Sequence, residues 1–301
     1  MTKVTVIIPV YNSSRYMSEA INSVLTQTYK DFEIVVVDDG STDNSKEIVG
    51  QFIEKYPEEI RYIYQKNKGI AGARNTGIRN ANGEFMALLD ADDKWYPKRL
   101  EEGIKIIESS ADIGLVHADS IRISEEGRPL PTPKRDKKYL SGYIFNNLFL
   151  RKADIHSLTV LFKKECCENV GLFDENPICM GCDDRDLWLR IAKKYRIEYI
   201  DKILAQHRVH QNNYSKNLEK MFEARVYVLD KFTSENGKGR KLRRLALARI
   251  YKEHGDRLLL KQNFNEAKRE YLKAIFLWPF CIWPWINLFK ALLHRRIKHD
   301  F

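Results

Sequence analysis

The amino-acid sequence predicts an α/β fold around a nucleotide-binding type of mixed, mainly parallel sheet flanked by helices, with an α-helical C-terminal extension. Strand-like runs alternate with helical stretches from Val4 to about residue 108, an order that builds parallel sheets. The runs Phe32 to Val37 and Phe85 to Leu89 are almost continuously apolar, as strands covered on both faces are. Acidic residues follow both runs directly, where the carboxyl ends of parallel strands border a ligand crevice.

Taken in order, strands are predicted at Val4 to Pro9, Phe32 to Val37, Ile60 to Tyr64 and Phe85 to Leu89, with helices near 14–27, 43–55, 70–80 and 97–108. A further strand is expected at Ile113 to Ala118. Residues 124–142 are polar, contain Pro129, Pro131 and Pro133, and carry Lys134-Arg135-Asp136-Lys137-Lys138, the composition of a loop that admits substrate. A strand around Ser157 to Phe162, a helix from Asp184 to Lys194 and a strand at Ile197 to Ile200 complete the predicted core. Beyond about residue 216 the pattern is helical, giving domains 1–215 and 216–301. Within that tail Gly255-Asp256, Asn263 to Ala267, Tyr271 and Ala274 resemble one tetratricopeptide-like pair, and a single copy supports only a helical hairpin.

The formal charge of +10 is unevenly placed: residues 1–201 sum to −3 and residues 202–301 to +13. The five cysteines form an irregular set that is unlike a disulfide framework. Cys179-Met180-Gly181-Cys182 has metal-type spacing but no second pair, so zinc is not expected. The chain enters a strand at Val4 without a charged-then-apolar leader, so the predicted location is cytoplasmic, peripheral at the inner face of the cell membrane if the tail engages it.

Four constellations carry chemistry. Asp38-Asp39-Gly40-Ser41-Thr42-Asp43 closes the second strand. Its carboxylates can accept hydrogen bonds from a base N–H and ribose hydroxyls, although Asp-Gly-Ser is equally ordinary turn chemistry. Asn67 to Asn75 opens the third helix with Gly69, Gly72 and nearby cations. Such a start can face an anion, with Arg74 pairing phosphate oxygens or stacking near a base, or can simply be solvated.

Asp90-Ala91-Asp92-Asp93 follows the fourth strand. Like charges beside a buried strand repel unless a cation or donors compensate them, so a hard divalent ion bridging to a diphosphate fits better than helix-capping before Pro97. Asp183-Asp184-Arg185-Asp186 opens a helix. There Asp184 can remove a proton from a hydroxyl, or the three aspartates can favour the helix dipole. His210 is a candidate metal or phosphate ligand and Arg208 a candidate phosphate contact, in a loop running to Ser215.

In this order, Pro9-Val10-Tyr11-Asn12, Val37 to Asp43, Asn67 to Asn75, Leu89 to Asp93 and Asp183-Asp184 ahead of Asp186-Leu187-Trp188-Leu189-Arg190 resemble the inverting glycosyltransferase family 2 over about residues 3–215. The resemblance implies a GT-A fold. It places Pro9, Tyr11, Asp38, Asp39, Arg74, Asp90 and Ala91 at the nucleotide, with Asp39 recognising the base. Asp90 and Asp92 become the Asp-x-Asp site for a divalent cation, manganese or magnesium, with His210 as a further candidate ligand. Asp184 becomes the general base, with Asp183 the alternative, at a place where the family usually reads Glu-Asp.

The implied reaction moves a sugar from a nucleoside-diphosphate sugar, UDP being the family tendency, to a hydroxyl of a glycan or lipid-linked acceptor. A sugar-nucleotide nucleotidyltransferase would share the sheet and the cation, but no Gly-rich, Arg/Lys-bearing loop follows the first strand. A non-catalytic basic binding protein is the third reading; nucleic acid is not an expected partner of the glycosyltransferase. In residues 275–299 an aromatic, apolar run with Trp278, Trp283 and Trp285 leads into His294-Arg295-Arg296-Ile297-Lys298-His299. Pro279 and Pro284 are expected to interrupt the helix, so the segment suits lying on a membrane rather than spanning it. Packing on its own domain or in a homo-oligomer is the competing use.

Overall fold

A computed structural model describes residues 2–131, 140–210, 217–232 and 237–299. The basic run Lys134 to Lys138 and the stretch Gln211 to Ser215 lie outside the described residues.

The chain divides into two compact units. The first comprises Met1–Phe145, Ala153–Asn176 and Asp183–Asn213, and the second comprises Asn146–Lys152, Pro177–Cys182 and Tyr214–Phe301. The helical unit therefore includes two short segments from earlier in the chain.

The first unit begins with β1 (Val4–Val10), α1 (Met17–Leu25), β2 (Phe32–Asp38), α2 (Ser45–Lys55), β3 (Ile60–Tyr64), α3 (Gly69–Arg79) and β4 (Phe85–Leu88). After β4 come β5 (Lys94–Trp95), α4 (Arg99–Ile107), β6 (Ile113–Ile123) and β7 (Pro129–Leu130). The unit is completed by β8 (Leu161–Lys163), α6 (Lys164–Val170), α7 (Asp183–Lys194) and β9 (Arg196–Arg208), while the intervening α5 (Phe145–Phe149) belongs, from Asn146 on, to the second unit. The sheet order is β3-β2-β1-β4-β8-β6-β9-β5, with β7 on β6.

Strands β3, β2, β1 and β4 are mutually parallel, and β8 enters antiparallel between β4 and β6. Every residue of β1, β2 and β4 is buried, as their continuous apolar runs predict. α3 lies so close to β1 that a Cβ at Gly77 would collide with Ile7.

Three local expectations are corrected. Residues Ser157–Thr159 form a 3-10 turn and the strand starts only at Leu161, because the Thr159 hydroxyl is drawn back to the His156 and Ala118 carbonyls. The strand expected at Ile197 to Ile200 runs from Arg196 to Arg208 because β6 continues beside it across register shifts. His207 and Arg208 are thus strand residues, not loop residues. Within 124–142, residues Pro129–Leu130 return to pair with β6.

The second unit contains α8 (Leu218–Lys231), α9 (Gly237–Leu260), α10 (Phe264–Leu277) and α11 (Ile282–His299). α9 and α10 form the expected hairpin, whose core joins Leu258, Ala267, Tyr271 and Ala291. Gly255 faces the Tyr271 ring, where an added Cβ would come within 2.8 Å. The Tyr271 hydroxyl and the Asn287 amide both donate to Asp256 Oδ1, at 3.0 and 2.7 Å. Pro279 separates α10 from α11 as expected. Pro284 does not interrupt α11: it sits in the first turn, where a missing N–H breaks no helical bond.

Candidate functional site

The site is assembled at the carboxyl edge of the parallel strands. Register pairs Val10 with Asp38 and Ile7 with Leu88, so the acidic residues after β2 and β4 flank the end of β1. Pro9 is buried in β1, Ala91 is 5% exposed, and Tyr11 stands at the surface.

Asp38 Oδ1 accepts from the Ser41 N–H at 2.7 Å and its Oδ2 from the Tyr62 hydroxyl at 2.7 Å. This carboxylate holds the turn, whose Gly40 adopts φ +84°, a region open to glycine. Asp39 Oδ1 accepts from Gln65 Nε2 at 2.6 Å and from the Lys68 N–H at 2.8 Å. Among the described residues Asp39 Oδ2 has no hydrogen-bond donor. Asn12 stitches the first loop to the second through Thr42 N–H at 2.8 Å and Ser41 Oγ at 3.0 Å.

Arg74 sits in α3, 5% exposed. It donates from Nη2 to Asp90 Oδ1 and from Nη1 to Asp183 Oδ2, both at 2.9 Å. Its guanidinium lies over the Phe173 ring, 5.5 Å from the centroid. Burial works against the charge, but Asp90, Asp183 and Asp184 outweigh it and raise the Arg74 pKa. One cation thus joins the acidic cluster after β4 to the one opening α7, with Arg74 and Asp183 109 residues apart in the chain. Asn75, next in the same helix, holds the 173–175 segment through the Phe173 carbonyl and Glu175.

Asp92 Oδ2 lies 2.7 Å from His210 Nε2, and the His210 ring stacks on Tyr16 at 5.9 Å. The neighbouring Asp93 is 2% exposed. It accepts the Arg208 N–H at 2.7 Å and faces His207 Nδ1 at 3.4 Å. Burial pushes the Asp93 carboxyl up to about 7, and the Asp93 carboxylate in turn raises His207 against the effect of burial.

Arg208 is fully buried. Its guanidinium is committed to the Asp92, Ser124 and Glu125 carbonyls and to Glu19. The expectation that Arg208 contacts phosphate is therefore corrected: the lengthened β9 carries it inside, where it braces the loop bearing Asp92.

At the start of α7 the two adjacent aspartates have different surroundings. Asp183 is 2% exposed and paired with Arg74, whereas Asp184 is only partly buried. Asp184 Oδ2 accepts from the Ser157 hydroxyl at 2.5 Å, and Ser157 Oγ in turn accepts from Trp188 Nε1 at 3.0 Å. Asp184 Oδ1 accepts from the Arg185 N–H at 2.6 Å. Asp186 is fully buried and ties Arg190, at 2.7 Å, to the carbonyls of 170–172. Sequence reasoning missed Ser157, Gln65 and the Asp93–Arg208 bond. Only Trp188, an indole beside an acidic helix start, gave any signal.

Residues 5–171 match the family described as Glycosyl transferase family 2. The chain belongs to that family. A glycosyltransferase of Methanocaldococcus jannaschii is 31% identical over 75% of this chain and 78% of its own length. Glycosyltransferase GlyA of Streptococcus pneumoniae is 34% identical over 71% of this chain and 32% of its own. The chain spans 36% to 64% of the length of several curated relatives from Rickettsia and Nostoc.

Among solved structures, Staphylococcus aureus TarS 1–349 superposes with a TM-score of 0.65 at 20% identity, covering 92% of this chain and 81% of TarS. The Pyrobaculum calidifontis mannosyltransferase PcManGT in complex with GDP-Man and Mn2+ gives 0.66 at 23%, covering 97% and 80%. These likenesses give this family 2 chain the GT-A fold.

Proposed function

We propose that this family 2 protein is an inverting glycosyltransferase that moves a sugar from a nucleoside-diphosphate sugar to a hydroxyl of a glycan or lipid-linked acceptor. The observation that carries this reading is the Arg74 bridge, which ties the acidic cluster after β4 to the start of α7, where Asp184 follows the paired Asp183. UDP is favoured because TarS has been solved with UDP and with UDP-GlcNAc; the GDP-Man complex of PcManGT makes GDP the comparison to test.

The donor set of Asp92 and His210 fits a divalent cation, one hard oxygen and one imidazole converging at 2.7 Å. No group of three or more such ligands occurs among the described residues, so substrate oxygens and water would complete the shell. When bound, manganese or magnesium neutralises the charge that develops on the departing diphosphate.

The chain's own residues supply the rest. Asp39 Oδ2 receives the base N–H, with Pro9, Tyr11 and Ala91 lining the nucleotide. Asp90, held by Arg74, receives ribose hydroxyls. Asp184 takes the proton of the acceptor hydroxyl as its oxygen forms the new bond to the anomeric carbon and the bond to the diphosphate breaks, on opposite faces of the sugar. Asp183 is unsuited to that role because Arg74 occupies it.

The test is a screen of sugar nucleotides for donor cleavage with and without manganese or magnesium. Release of nucleoside diphosphate, lost in Asp92→Ala, is expected. Release of pyrophosphate, or cleavage that ignores the cation in both proteins, would overturn the reading.

A further inference from the structure

From Ile282 to Leu293, α11 is apolar on both of its faces. The inward face, Pro284, Leu288 and Ala291, is turned to the core of the helical unit, with Ala291 fully buried. The outward face carries Ile282, Trp285, Ile286, Phe289, Leu292 and Leu293, all exposed, with Phe289 at 61%. Their spacing of three and four residues places them on a single stripe. Phe276, at the end of α10, and Phe280, in the turn, add side chains exposed to 82% and 86%. Isolated exposed apolar residues are ordinary, but a continuous stripe on a helix that already buries its other face calls for a partner.

Charge identifies that partner. Between residues 271 and 299 the sequence contains five Lys or Arg and no Asp or Glu. A second copy laid face to face on this stripe would bring two such cationic runs together, at a cost in repulsion. An anionic lipid surface satisfies both features: its headgroups attract the cations, and its acyl boundary receives the aromatic and aliphatic side chains. Tryptophan suits that boundary, and Trp283 and Trp285 are 60% and 49% exposed. No helix among the described residues is long and apolar enough to cross a membrane, so the segment would lie in the interface.

We infer that the outward stripe of α11, with Phe276 and Phe280, is a docking surface for an anionic lipid bilayer. This inference does not depend on the donor chemistry proposed above. The test is flotation of the full chain with vesicles of phosphatidylcholine alone and of phosphatidylcholine mixed with phosphatidylglycerol, alongside the triple variant Phe276→Ser/Phe280→Ser/Phe289→Ser.

The wild-type chain is expected to float with the anionic vesicles at least about tenfold more than with the neutral ones, and less as salt rises. The triple variant should lose about tenfold or more of that binding while releasing nucleoside diphosphate from a soluble donor at the wild-type rate. The comparison of the two vesicle types stands even if the variant does not fold. Equal binding to both vesicle types, flotation of a folded variant like the wild type, or a wild-type dimer that the variant dissolves would each overturn the inference.

Discussion

The two units solve opposite problems with the same residue classes. The sheet unit hides its carbon and gathers its carboxylates at one edge: β1, β2 and β4 are buried throughout, while the acids at their ends each meet a donor. The helical unit displays its carbon, with Phe276, Phe280 and Phe289 largely exposed, and carries an excess of cations in the sequence from residue 214 onward. Hydrogen bonds and charge dominate recognition in the first unit, where geometry must be held to fractions of an ångström. If the α11 stripe docks on lipid as inferred, apolar area and diffuse charge dominate in the second, where a fluid partner suffices.

If that contrast is right, the largest effects belong to single carboxylates of the sheet unit. Asp184→Asn keeps shape and removes the proton acceptor, so kcat should fall by about 10²- to 10⁴-fold with donor affinity retained. Steady-state rates with titrated donor check this, and a variant that binds donor and transfers at the wild-type rate would sink the base assignment. The companion measurement is thermal stability with UDP. A divalent ion should be needed for UDP to raise the melting temperature, and Asp92→Ala should abolish the effect. Stabilisation by UDP that persists in chelator would break the link between Asp92 and a cation.

Next in size is the Arg74 bridge. Arg74→Met leaves Asp183, 2% exposed, without its cation, and removing one partner of a buried pair costs about 3–5 kcal/mol. Denaturant unfolding measures this directly. Adding Asp183→Asn to Arg74→Met should recover part of the loss, since the stranded charge is then gone. If the double variant is no more stable than the single one, the penalty is packing over Phe173 rather than charge.

A smaller effect is expected at Ser157, whose hydroxyl holds Asp184 and is itself held by Trp188. Ser157→Ala should lower kcat about tenfold, the order of one lost hydrogen bond to a charged group, with the donor KM unchanged. Ser157→Thr should restore much of it. A fall in stability without a fall in kcat would make Ser157 a structural residue only.

How much of this was legible follows from which forces leave a local trace. The parallel strands were readable because burial on both faces imposes a continuous apolar run, as in Phe32 to Val37. The acidic clusters were readable because charge beside a buried strand demands a reason. The bridge from Arg74 to Asp183 and the contact of His210 with Asp92 span 109 and 118 residues, and only the folded register brings them together. Arg208 misled for the same reason: near a loop it reads as a surface cation, and only the pairing of β9 with β6 buries it. Ser157 left no trace, since a serine in a short turn looks like any other turn serine. In the tail, Pro284 read as an interruption because proline's position within a helix, not its presence, decides whether a bond is lost.

The smallest predicted effect sharpens the contrast from the other side. If Phe276 and Phe289 belong to a displayed surface, replacing each by serine should change the stability of the free protein by no more than about 0.5 kcal/mol. Tyr271 is in the opposite position: fully buried, packed against Gly255 and bonded to Asp256. Tyr271→Ala should therefore cost about 3–5 kcal/mol, as for a large aromatic removed from a core. Chemical denaturation of the three variants ranks them. A loss above about 1 kcal/mol in Phe289→Ser would show that the outer stripe of α11 contributes to the helical unit's own stability. The difference between the units would then be one of packing density rather than of what each presents to a partner.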